Sequence, residues 1–150
     1  MTHPLFEKHR ARLDGAVAAI ASRAYWSAFS EMPSPKAYGE TAPDDGKRAF
    51  EAHLGKRFEL DQPGLTGWHG GESSPYGIAL GVSYPVCDPE ALVAAGHAAM
   101  AGWQAVGADG RTGICLEILD RLNKQSFELA HAVMMTTGQG WMMAFQAGAP

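Results

Sequence analysis

From Asp88 to Gly148 small and apolar residues recur at helical spacing, interrupted only by short glycine or polar breaks. This stretch limits the chain to folds in which successive helices are laid against another layer. Asp88-Pro89 is a strong helix start: the carboxylate accepts from free N–H groups of the first turn, and proline fits the first helical position. The helix is expected to run to about Val106. Its apolar side is mostly small (Ala91, Leu92, Ala95, Ala99, Trp103), which predicts close approach of a neighbour. Gly107 and Gly110 are expected to break it. Arg111 to Asn123 then carries Ile114, Cys115, Ile118, Leu119 and Leu122 as one wide apolar stripe. Glu117 and Arg121 sit four apart on the opposite side, a pair worth ~0.3 kcal/mol. Ser126 is expected to cap a third helix with Phe127, Ala130, Val133 and Met134 inward and His131 beside them. Thr136-Thr137-Gly138-Gln139 ends it, and Trp141, Met142, Met143 and Phe145 open a further apolar segment.

Upstream, Pro4 to Tyr25 reads as an amphipathic helix with Phe6, Leu13, Val17 and Ile20 on one stripe and Glu7, Lys8, Arg10, Arg12 and Asp14 off it. Tyr25, Trp26 and Phe29 are expected to pack the helix end on the body of the protein. Met32 to Asp45 is a connector whose prolines oppose helix. Asp44 or Asp45 then caps a short helix through Lys47, Phe50 and Leu54, stopped by Gly55. Arg57 to Leu60 is a brief strand, Asp61 to Gly77 a glycine-rich loop, and Gly77 to Tyr84 the clearest strand. There Ile78, Leu80, Val82 and Tyr84 alternate with small residues, and Pro85 stops it. One good strand with at most one partner does not make a stable sheet alone.

At 150 residues the chain is long enough for one domain and one core. Twelve Lys+Arg against sixteen Asp+Glu leave a charge of −4. Nucleic-acid affinity rests largely on phosphate neutralisation, so that partner is not expected. No apolar run approaches the ~18–20 residues that span a bilayer, and no signal-peptide core follows the N-terminus. A soluble cytoplasmic location is therefore expected. Cys87 and Cys115 do not form a metal-type pair, and buried inert thiols are the expectation.

The chemistry-bearing residues do not converge. The histidines at 3, 9, 53, 69, 97 and 131 show no H-E-x-x-H or other tight metal spacing. The phosphate loop needs Gly-Lys-Ser/Thr, and the chain has no such tripeptide. A dinucleotide fingerprint needs its glycines between strand and helix, whereas the run around Gly64 to Gly77 leads into a strand. His69-Gly70-Gly71 is similar to an esterase oxyanion loop, but no G-x-S-x-G elbow accompanies it. Glu72, Ser73 and Ser74 read as turn-capping chemistry, and His131 as a structural residue.

The order of parts resembles the N-terminal helices of the aldehyde dehydrogenase superfamily. Asp88-Pro89 leads through Ala98-Ala99 to Trp103. Arg111 to Leu122 forms the second helix. Phe127-Glu128-Leu129-Ala130 leads to a Thr-Gly-Lys type turn, here Thr137-Gly138-Gln139, with Gln139 in place of the usual lysine. Leu5 to Arg10, Phe58 to Gly64, Ser74-Pro75-Tyr76-Gly77, Cys115 to Leu119 and the Thr-Thr-Gly-Gln turn are similar to the phenylacetic acid degradation branch.

That resemblance implies an α/β fold, mainly helices with a short strand pair or hairpin: one partial domain over 1–150. Its parts would be an N-terminal arm (1–55), a loop and strands (56–87) and a helical layer (88–150), ending before the dinucleotide-binding and catalytic parts. The implied parent is an NAD- or NADP-dependent oxidoreductase acting on a semialdehyde of aromatic breakdown. No catalytic, cofactor-binding or metal residue is expected within this chain, which alone should be inactive and bind no cofactor. The implied partners are the remainder of the parent polypeptide and, in a homo-oligomer, further copies. The alternative is a stand-alone interaction or self-associating scaffold module without catalysis.

Overall fold

A computed structural model of the chain describes residues 3–148. The elements run α1 (Pro4–Ser22), α2 (Pro35–Tyr38), α3 (Ala42–Glu51), β1 (Leu65–Gly70), β2 (Ser83–Cys87), α4 (Pro89–Ala105), α5 (Gly107–Lys124), α6 (Ser126–Thr137) and α7 (Trp141–Gly148). α1 packs on α5, α6 packs on both α3 and α7, and the two strands pair with each other.

Local chemistry sets the ends. The His3 ring accepts from the Leu5 N–H at the head of α1, at 3.2 Å. The helix ends at Ser22, three residues short of the expected Tyr25, and Arg23 closes it with φ 56°. The prolines expected to oppose helix instead start helices: Pro35 and Pro43 occupy the first turns of α2 and α3, where the missing N–H has no partner to lose. Thr41, not Asp44 or Asp45, precedes α3, and both aspartates lie in its first turn. Asp88 caps α4 as expected, accepting from Glu90 N–H at 3.1 Å. Val106 separates α4 from α5, Gly107 opens α5 with φ 75°, and Gly110 lies inside α5 and is buried. Ser126 does not cap α6. Its hydroxyl donates back to the Asn123 carbonyl at 2.8 Å, and Gln125 takes the cap position. Gly138, at φ 75°, ends α6 as the Thr-Gly turn predicts.

The strands move. β1 and β2 form an antiparallel pair with Trp68 opposite Pro85 and His69 opposite Tyr84. The expected strand Gly77 to Tyr84 contributes only its last two residues, because Gly77 (φ 78°) and Gly81 (φ 65°) adopt the left-handed conformation and cannot lie in a ladder. β2 instead continues through Pro85, tolerated because each strand of a two-stranded sheet has a free edge. Its partner comes from the run expected to be loop. Arg57 to Leu60 reduces to one parallel bridge, Arg57 with Ser83.

Two clusters make the core. Phe127, Ala130 and Phe145 pack with Tyr38, Ala42 and Trp141. Phe50, Leu80 and Val82 pack with Leu54, Phe58, Ala132 and Met135. The helices meet closely at Gly46, where an added Cβ would lie 2.8 Å from the Glu128 backbone nitrogen.

Expected burials fail on the helices α1, α4 and α5 and at both cysteines. Val17 and Ile20 of α1 are exposed, as are Ile118, Leu119 and Leu122 of α5. Cys115 on that stripe is exposed and Cys87 half-buried. α4 has no buried residue at all. On each of the three helices much of the apolar side faces away from the chain's own elements, although Phe6, Leu13 and Ile114 are half-buried. The buried face of α5 is the other one: Gly110, Gly113 and Glu117.

Candidate functional site

The only buried carboxylate among the described residues, Glu117, sits where α1 crosses α5. Gly113 allows the crossing, since a Cβ there would stand 2.8 Å from Phe6 Cα. Around Glu117, Lys8 Nζ donates to Oε2 at 2.6 Å, His9 Nε2 lies 2.8 Å from the same oxygen, and Arg121 Nε donates to Oε1 at 3.1 Å. One turn on, Asp120 accepts from Arg12 at 3.1 Å and pairs with Lys124 at 2.9 Å. Hydrogen bonds from Lys8, then His9 and Arg121, hold the Glu117 carboxyl down at about 2. A carboxylate fixed in its ionised form accepts protons poorly near neutral pH, so this cluster is built as an anchor. The Glu117–Arg121 pair was expected, but on a solvated face. The missed signal is the spacing Gly110, Gly113, Glu117, Asp120, which places two small and two acidic residues on one helical face opposite Lys8, His9 and Arg12.

The other histidines are spread through the fold. His53 Nε2 lies 2.8 Å from Glu128 Oε1, at the rim of an apolar groove of about 380 Å³ lined by Phe50, Phe58, Leu80, Val82 and Leu129. His131 lies against Trp141, with ring centroids 4.6 Å apart, and stacks on Phe50. Burial lowers its pKa. This is the packing role expected of it. His69, Gly70 and Gly71 border a shallow recess with Glu72 and Tyr84. Ser74, buried near it, is a turn residue whose hydroxyl accepts from the Tyr76 N–H, as the capping reading of this loop expects. Among the described residues no three His, Cys, Asp or Glu side chains gather as a metal site.

A dinucleotide would need a glycine-rich strand-to-helix turn with free N–H groups. The one strand-to-helix junction, β2 to α4, is closed by the Asp88 carboxylate, which already occupies the helix N-terminus. The glycine-rich run is strand β1 and its following loop. The described residues therefore do not fit such a cofactor. No helix among them is long and apolar enough to cross a membrane. What stands out instead is uncovered surface: Leu92, Val93, Met100 and Trp103 on α4, and Ile118, Leu119 and Leu122 on α5.

Aligned on solved structures, the chain matches over 100% of its length, at 57% identity and a TM-score of 0.93, the crystal structure of an NAD-dependent aldehyde dehydrogenase from Burkholderia multivorans. The fold is that of the N-terminal segment of an aldehyde dehydrogenase. The chain spans 27% of that enzyme. No protein-family model matches it, and no curated protein does. The hairpin and helices of this chain recur together in that enzyme, whose chain is several times longer.

Proposed function

We propose that the chain is the N-terminal part of an aldehyde dehydrogenase that oxidises an aldehyde to an acid with NAD or NADP, NAD being favoured by the name of the matched enzyme. The whole-length match at 57% identity carries this reading. The aldehyde we assign is a semialdehyde of phenylacetate breakdown, on the branch-like motifs Phe58 to Gly64, Ser74 to Gly77, Cys115 to Leu119 and Thr136 to Gln139. Within the enzyme this segment is scaffold. The small-residue face of α4 and the apolar stripe of α5 dock on the remainder of the polypeptide, which holds the cofactor and the catalytic groups. No step of hydride transfer is routed through residues 1–150.

The test has two arms. The reading frame beyond codon 150 is expected to encode a strand–helix glycine fingerprint and a later cysteine, and its whole product to form NADH or NADPH only when the semialdehyde is added. Purified 1–150 is expected to form none. Aldehyde-dependent reduction by 1–150 alone would overturn the scaffold reading. A whole product inert toward aldehydes would overturn the enzyme reading.

A further inference from the structure

α1 is joined to the rest of the chain in an unusual way for a 19-residue helix. Its one buried residue is the ionisable His9. Leu5, Phe6 and Leu13 are only half-buried, and Ile20 is 78% exposed. The contact with α5 combines close backbone approach at Gly113, the His3 ring lying over Gly110, the half-buried Leu5, Phe6 and Leu13, and the ion cluster. The segment that follows α1, residues 24–34, contains no helix or strand. The two apolar clusters that hold α3, α6 and α7 together contain no α1 residue.

We propose that α1 is a latched arm: the cluster of Lys8, His9 and Arg12 with Glu117 and Asp120 holds it on α5, and opening the cluster releases α1 as a unit while α3, α6 and α7 stay packed. The groups facing Glu117 are Lys8 and His9 from α1, with Arg12 3.4 Å from His9 Nδ1, and Arg121 from α5 itself; Asp120 faces Arg12 from α1 and Lys124 from α5 itself. Removing the negative charge of Glu117 leaves Lys8 and His9 facing Arg121 and Arg12 without a buried anion. Loss of one partner from a buried charged pair is the costly event, more than the pair's net worth suggests. The direction with pH follows from geometry and linkage. Both carboxyls are held below their ordinary values, Glu117 to about 2. The latch is therefore complete above the ordinary carboxylate range and opens as pH falls through it toward about 2.

Hydrogen exchange on the full 150-residue chain, read by mass spectrometry for peptides of α1 and of α6–α7 in one sample, tests this. At neutral pH, Glu117→Gln is expected to speed exchange of α1 by about ten-fold or more, with α6–α7 unchanged. Lys8→Gln, at a half-exposed position that threatens no fold, is expected to shift α1 in the same direction by less. Arg121→Ala removes a partner lying on α5 itself and is expected to leave α1 near wild type. In wild type at about pH 3, the ratio of α1 to α6–α7 exchange is expected to rise. The proposal is overturned if Glu117→Gln and Lys8→Gln leave α1 protected. Loss of protection by α1 and α6–α7 together overturns it equally, because the arm is then part of one cooperative core.

Discussion

Two glycine-to-alanine changes, each inside a helix, should move stability in opposite directions. Alanine in a helix interior is favoured over glycine by about 0.5–1 kcal/mol. At Gly96 in α4, a built Cβ meets nothing within 4 Å, so that gain stands alone. At Gly46 in α3, the Cβ would lie 2.8 Å from both the Glu128 nitrogen and the Phe127 carbonyl carbon. These are backbone atoms of α6 and cannot rotate aside. Overpacking of this kind costs about 1–3 kcal/mol, and forcing α3 off α6 also loosens both Phe50 and Phe127, one from each core cluster. The steric term outweighs the propensity term, leaving Gly46→Ala about 1–2 kcal/mol less stable. For a chain of this size each kcal/mol shifts Tm by roughly 2–4 °C. The assay is urea unfolding followed by circular dichroism, with the slope required to stay constant so that the midpoint reports stability. Shifts of the same sign for the two variants would refute the reasoning. In the proposed whole enzyme the α4 face is covered, so Gly96→Ala should lose its gain there. A gain that persists in the whole enzyme would argue against docking through that face.

Phe145→Ala should be the most damaging single truncation, at about 3–5 kcal/mol in the same assay, because its ring is fully buried and meets Phe127, Tyr38 and Trp141; a loss below ~1 kcal/mol would mean α7 is not packed on α6. Asp88→Ala should cost about 1 kcal/mol through the lost cap of α4, and Asp88→Asn should restore most of it. His131 titrates below its ordinary value because burial disfavours the charged ring. Its contribution to stability is therefore full above about 6.5 and is lost as pH falls through the lowered value. His131→Gln should flatten the fall in stability as pH drops below about 6.5, and an unchanged slope would remove His131 as its source.

The parts of the fold legible in the sequence are those decided locally. Asp88-Pro89 fixes the start of α4 and Gly138 the end of α6 by capping geometry alone. Of the alternating set, Leu80 and Val82 are buried, whereas Ile78 and Tyr84 are exposed. The strand itself was misplaced, because the same alternation is produced by a looped segment when glycines at 77 and 81 turn left-handed, and nothing in the residue pattern states which glycines will do so. α5 shows the deeper limit. Hydrophobic periodicity predicts which face of a helix is buried in the complete core, and Ile114 to Leu122 carries that signal. Within this chain the face that is covered is set by α1 instead, whose backbone comes in over Gly113 and whose cations reach Glu117 and Asp120. A helix with one apolar stripe exposed and one ionic face buried is inverted relative to the usual arrangement. The inversion is resolved if the stripe is an interface with a further layer, the docking role proposed above for it. The contacts that seat α1 on α5 are made by glycine and ions, residue types that a search for apolar stripes passes over.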